Sequence, residues 1–148
     1  MKVFLDTNVF VEYFECRREC QAVSRLLSAV EDGKEKGIIS AGCVYTLAYL
    51  IRMELKRQEI YRPEQTLRLR SMLNIILSLV TVGSVSHKRI VMATNDTAFD
   101  DLEDSYQYQC AVQNHCDAIV TINLKDYRGV DTSKIEILSP SEFGSKYL

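Results

Sequence analysis

The chain of 148 residues has no tryptophan, two prolines, six glycines and two histidines. So little proline and glycine excludes collagen-like and low-complexity architectures, and 47% hydrophobic residues exclude a disordered chain. No apolar run approaches the roughly 20 residues that a membrane span requires. No secretory leader is expected either, because Met1-Lys2-Val3-Phe4-Leu5 runs at once into Asp6. An excess of one charge is also missing: 18 Lys and Arg face 20 Asp and Glu, a net charge of −2. That excludes coating of nucleic acid by bulk charge and leaves room for a local patch. The cysteines, Cys16, Cys20, Cys43, Cys110 and Cys116, are odd in number and form no C-x-x-C pair, so reduced thiols and a cytoplasmic setting are expected. Cys16 and Cys20 can be drawn as a soft-metal pair, and Cys110, His115 and Cys116 as a ligand set. Neither histidine has zinc spacing around it, and nothing favours a Cys–His nucleophile, so small buried residues are the plainer account.

What is present is alternation. Lys2 to Leu5 is a short apolar run ending at Asp6, a buried strand. Asn8 to about Cys16 reads as a first helix. Val23, Leu26, Leu27 and Val30 form a helical stripe closed by Gly33. Gly37 to Ser40 is a second strand, and Val44, Leu47, Ala48, Ile51 and Leu55 mark the helix after it. Pro63 suits the first turn of another helix, whose core side is Leu69, Met72, Leu73, Ile76 and Leu77. A third strand is expected within Leu79 to Val85, and helices over His87 to Thr94 and Asp101 to about Asn114. Ala118 to Thr121 and Ile135 to Leu138 are the last strands. Strands alternating with helices imply βαβ units and a parallel sheet buried on both faces. The expected fold is therefore a single three-layer α/β/α domain over 1–148, with about five short strands.

Open parallel sheets bind ligands beyond the carboxyl ends of their strands. Asp6, Thr7 and Asn8 follow the first strand there, and Thr46 lies near the start of the helix leaving the second. Asp101, Glu103 and Asp104 begin a crossover helix at the same edge; Asn123 and Asp126 follow the fourth strand. Helical spacing puts Asp101, Asp104 and Tyr108 on one face and turns Glu103 away. Carboxylates gathered in one place repel one another, which a hard divalent cation relieves. An oxygen-only set without histidine suits Mg²⁺ or Mn²⁺, and such an ion can activate water against a phosphodiester. Single acids near helix starts are also ordinary caps. Asp6 is the exception, since an acid ending a buried strand is costly without a partner.

These residues resemble a known family. Val3-Phe4-Leu5-Asp6-Thr7-Asn8-Val9 is similar to the opening of PIN domains, the nuclease fold of VapC-type toxins. Asp101-Leu102-Glu103-Asp104-Ser105-Tyr106-Gln107 and Ile119-Val120-Thr121-Ile122-Asn123-Leu124-Lys125-Asp126-Tyr127 resemble two further signatures, and Ile137 to Phe143 resembles the family's last strand and cap. The resemblance covers nearly the whole chain and implies a metal-dependent ribonuclease. It gives Asp6 the first acid role and Asp104 the third, with Mg²⁺ or Mn²⁺ between them. The family's usual glutamate after the second strand falls at about Thr46, and its fourth acid falls at Asn123. The resemblance then makes Asp101 the stand-in for a lost carboxylate, with Asp126 helping it or capping the following turn. Thr7, Asn8, Thr46 and Asn123 are left to orient waters or phosphate oxygens.

From Arg52 to Arg70 six basic residues stand against Glu54, Glu59 and Glu64, while Asp96 to Asp104 holds five acids and no base. Arg52, Lys56 and Arg57 are candidates for an RNA backbone, with Tyr45, Tyr49 and Tyr61 available to stack on bases. A solvated helical face is the plainer account of each residue singly. In VapC-like proteins the corresponding helices also hold an antitoxin and a second subunit, so an antitoxin and a homodimer are expected partners. The leading function is a Mg²⁺- or Mn²⁺-dependent endoribonuclease, the toxin of a toxin–antitoxin pair. The alternative is a catalytically weak module of the same fold that binds RNA or a protein. A phosphohydrolase using Asp6 as nucleophile fits less well, because Asn8 occupies the place of the second acid such chemistry wants.

Overall fold

Short runs of Val, Ile and Phe, bounded by polar or glycine residues, become strands here because crossover helices cover both faces of the sheet. Val3, Phe4, Leu5, Ile119 and Val120 are all fully buried. The computed structural model describes all of residues 1–148. The order is β1 (Lys2–Leu5), α1 (Thr7–Phe14), α2 (Cys20–Glu31), β2 (Lys36–Ser40), α3 (Ala41–Arg57), α4 (Glu64–Leu79), β3 (Val80–Gly83), α5 (His87–Thr94), α6 (Leu102–Gln113), β4 (Ala118–Val120), a 3₁₀ turn (Leu124–Tyr127), β5 (Glu136–Leu138) and α7 (Pro140–Tyr147). No helix is long and apolar enough to cross a membrane.

The five strands are all parallel, in the order β3-β2-β1-β4-β5. The chain builds outward from β1 on one side through β2 and β3, then returns to β1's other edge with β4 and β5. The order in which strands are added therefore reverses between the parallel neighbours β1 and β4, where Phe4 pairs with Ile119 and Leu5 with Val120. Such a switch point opens a crevice at the carboxyl ends of its two strands. Asp6 and Thr121, the residues that follow those two strands, stand at its mouth.

Some element boundaries differ from the sequence reading. Pro63 is the cap residue just before α4 and not part of its first turn. Leu79 still belongs to α4, which runs into β3 with no loop between. Cys16 lies beyond α1 in a left-handed conformation (φ 46°), which ends that helix early. Asp101 stands outside α6 as its cap, so helical counting starts one residue later. The chain also continues past β5 into a helix, α7. Ser139 Oγ accepts from Glu142 N at 3.2 Å and Glu142 Oε2 accepts from Ser139 N at 2.7 Å, a closed capping box with Pro140 at its first turn. Phe143 anchors α7 in the core.

Candidate active site at the carboxyl edge

Asp6 extends β1 by one more sheet bond, its N–H donating to Val120 O at 3.1 Å. Its backbone occupies the cap position of α1, yet its carboxylate makes no capping bond. The side chain turns into the crevice. Oδ2 accepts from Thr121 Oγ1 at 2.6 Å and from Asn8 Nδ2 at 2.8 Å. Asn8 Nδ2 also donates to Thr121 Oγ1 at 3.3 Å, and Asn8 Oδ1 accepts from Ile122 N at 3.0 Å. The Thr121 hydroxyl receives a second bond from Asn123 N at 3.0 Å, which fills its capacity. Asp6 is only 2% exposed. Burial pushes its carboxyl above the usual range, opposed by Thr121, Gln107 and Asn8, with repulsion from Glu103 added.

Asp104 enters the same crevice from the first turn of α6. It is 7% exposed, and burial pushes its carboxyl up to about 7, helped by repulsion from Asp6, Asp101, Asp126 and Glu103. No lysine or arginine pairs with Asp6 or Asp104; all six ion pairs of the chain lie elsewhere. Two buried carboxylates without a cationic partner are costly, and stability alone does not account for them.

The remaining expected residues spread around this pair. Thr7 Oγ1 donates to Glu103 Oε1 at 3.1 Å, and Thr7 N donates to Gln107 Oε1 at 3.4 Å. Glu103 therefore turns toward the crevice, not away from it. Asp101, expected on the inner face with Asp104, is exposed and uses Oδ1 to accept from Glu103 N at 2.8 Å. The exchange follows from the cap: an aspartate one residue outside a helix bends back to an orphan N–H of the first turn. Tyr108, also expected on that face, donates to Asp131 O at 3.1 Å. Asp126 is half-buried and acts on Asp104 through charge. Asn123 is exposed at the rim, and Thr46 is half-buried in the second turn of α3. Of the basic candidates, Lys56 is exposed and Arg52 lies 6.0 Å over the Tyr49 ring. Arg57 is held by Glu54 through Nε at 2.8 Å and Nη2 at 2.5 Å, so it is less free to meet a phosphate.

Three groups escaped the sequence reading. Gln107, 2% exposed, accepts at Oε1 from Thr7 N and from Cys43 Sγ, the latter at 3.3 Å. Cys43 N in turn donates to the Ser40 cap at 3.0 Å. This chain of bonds locks the starts of α1 and α3 to the middle of α6. The available signal for Gln107 was its place one turn after Glu103 and Asp104, on the helix face that carries those acids. Tyr127 is the third and is treated below.

The donor set suits a hard divalent cation with conditions. No three His, Cys, Asp or Glu side chains are placed to hold a metal by themselves. That excludes a closed zinc-type cage. Mg²⁺ commonly uses one or two carboxylates and keeps several waters, and the buried, mutually repelling pair Asp6 and Asp104 fits that habit.

A five-stranded parallel sheet with an acidic crevice at its switch point defines the chain as an α/β protein of the open, parallel-sheet class. Residues 2–125 match the PIN domain family, and the chain belongs to that family. It is 28% identical to Ribonuclease VapC1 of Aquifex aeolicus (strain VF5), over 99% of this chain and 95% of that one. Its fold is similar to that in the crystal structure of VapBC2 from Rickettsia felis bound to a DNA fragment from their promoter. There the TM-score is 0.65 at 16% identity, covering 93% of this chain and 98% of the other.

Proposed function

We propose that the protein is a Mg²⁺- or Mn²⁺-dependent endoribonuclease. The observation that carries the reading is the pair Asp6 and Asp104, buried at the switch point with no basic partner. These two would hold the cation, with Asp101, Glu103 and Asp126 adding negative charge around them. When bound, the cation supplies positive charge to the scissile phosphodiester and acidifies a neighbouring water. The chain itself supplies rigidity. Thr121 and Asn8 fix the Asp6 carboxylate in one rotamer, and Gln107 ties α6, which carries Asp104, to Thr7. Thr7, Asn8, Thr46 and Asn123 orient waters and phosphate oxygens at the rim. Water attacks phosphorus in line, the P–O3′ bond breaks, and the 3′ oxygen takes a proton. The products carry a 5′-phosphate and a 3′-hydroxyl.

The same reading makes the protein the toxin of a toxin–antitoxin pair, acting in the cytoplasm as a homodimer. A groove of about 920 Å³ between α1, α3 and α4, lined by Phe14, Leu50, Met53, Tyr61 and Met72, supports a protein partner there. Arg52 and Lys56 follow the RNA backbone away from the crevice. Cleavage of single-stranded RNA with Mn²⁺, with EDTA, and by the double variant Asp6→Asn, Asp104→Asn tests the site. Cleavage that survives the double substitution rejects these assignments. The uncharged Thr46 and Asn123 favour a second reading, a module that binds RNA without cutting it. It expects RNA binding in EDTA and no turnover with any divalent cation.

A further inference from the structure

Tyr127 closes the 3₁₀ turn that leaves β4, and it is 2% exposed. Its ring packs edge-on against Phe99, with centroids 5.7 Å apart at 89°, and Phe99 touches Tyr108, one turn beyond Asp104 on α6. The turn hangs from the site itself, since Asn123 N bonds Thr121 Oγ1 and Thr121 bonds Asp6. Yet the Tyr127 hydroxyl is buried and has no hydrogen-bond partner in the protein. Burial, then the charges of Asp6 and Asp104, disfavour ionisation of this phenol, which keeps it a neutral donor and acceptor beside the acids. Phenylalanine would fill the same aromatic slot without an unpaired hydroxyl, and leaving such a group unpaired is costly. We infer that Tyr127 is a positioning residue of the acidic crevice, its hydroxyl reserved for an oxygen, of water or of phosphate, that arrives with the divalent cation. The inference rests on the metal-dependent reading proposed above.

The test is Tyr127→Phe, with Tyr108→Phe as control, because the Tyr108 hydroxyl is bonded to Asp131 O away from the crevice. Mn²⁺ binding is followed by the resonance signal of free Mn²⁺, without RNA, and thermal unfolding is recorded in EDTA. Tyr127→Phe is expected to weaken Mn²⁺ binding roughly three- to tenfold, the worth of one hydrogen bond. It is expected to leave the EDTA melting point unchanged or higher, since no protein bond is lost. The control is expected to bind Mn²⁺ like the wild type. Equal Mn²⁺ affinity in Tyr127→Phe and wild type overturns the inference and leaves the metal site standing. A lower melting point in EDTA overturns it as well, because the hydroxyl would then be paired within the folded chain. A wild type that binds no Mn²⁺ overturns both this inference and the proposed function.

Discussion

Replacing Asp104 by asparagine is expected to stabilise the metal-free protein at neutral pH while removing its activity. The side chains are nearly isosteric, so the change removes a charge and little volume. The Asp104 carboxyl is pushed from an ordinary 3.8 up to about 7, first by burial and then by Asp6, Asp101, Asp126 and Glu103. A carboxyl that is raised in the folded state has no effect below its unfolded value, where both states are protonated. Above its folded value the folded state carries a charge it disfavours, and stability is lost. The loss develops between about pH 4 and pH 7 and reaches a ceiling of about 4 kcal/mol, at about 1.4 kcal/mol for each pH unit. Solvent reaching the outer carboxyl edge lowers this to about 2 kcal/mol. Urea unfolding in EDTA, run on both proteins from pH 4 to pH 8, measures it. The difference in favour of Asp104→Asn should grow across that window. Carboxylates with lowered values, such as Glu54 and Glu136, act on both proteins alike and cancel. A flat difference, or one shrinking as pH rises, would refute the argument that this carboxylate is held against its own preference. Saturating Mn²⁺ should reverse the order, stabilising the wild type and leaving the variant unmoved.

Asn8→Ala removes the bonds to Asp6 Oδ2 and Thr121 Oγ1 and leaves Ile122 N without its acceptor. It should lower stability by about 1–3 kcal/mol in urea unfolding and depress RNA cleavage. Gly37→Ala probes the sheet, because a Cβ there would stand 2.8 Å from Val80 Cγ1 and 3.2 Å from Val30 Cγ1. Both neighbours are stiff β-branched side chains, so a loss of about 1–3 kcal/mol in the same assay is expected, with Mn²⁺ binding retained.

The parallel sheet was legible because its strands are buried on both faces, and burial of that kind leaves continuous apolar runs such as Val3-Phe4-Leu5. Asp6 was legible for the complementary reason: a charge ending such a run demands an explanation. The inner face of α6 was not, because it depends on where the helix begins. Asp101 falls outside the helix and becomes its cap, while Glu103 shares a face with Gln107 at i, i+4, and both reach a threonine about a hundred residues away in the chain, a partner that helical spacing alone does not reveal. Gln107 and Tyr127 were hidden for a related reason. Their meaning lies in partners from distant segments, or in the lack of one, and neither leaves a periodic trace in the chain. α7 escaped because its eight residues carry a clear start, Ser139-Pro140-Ser141-Glu142, and only a weak apolar stripe.

The two neutral positions, Thr46 and Asn123, bear on how this crevice tolerates its acids. Asp104 already meets four other carboxylates from three parts of the chain, and their combined repulsion with burial brings its ionisation to neutral pH. A further acid facing the crevice would push that value higher and oppose folding before any cation arrived. Asn8 and Thr121 offset part of the burial cost at Asp6 by donating hydrogen bonds to it, and its carboxyl still lies above the usual range. Asp104 has no comparable pair of donors, so nothing within the protein opposes the burial and repulsion that raise its carboxyl. In both acids burial disfavours the charged form, opposed at Asp6 by hydrogen bonds from its neighbours and reinforced at Asp104 by four other carboxylates. On the proposed metal-dependent reading, a divalent cation would favour the charged forms that burial and repulsion disfavour, so its binding is expected to release protons from the crevice and to strengthen as pH rises.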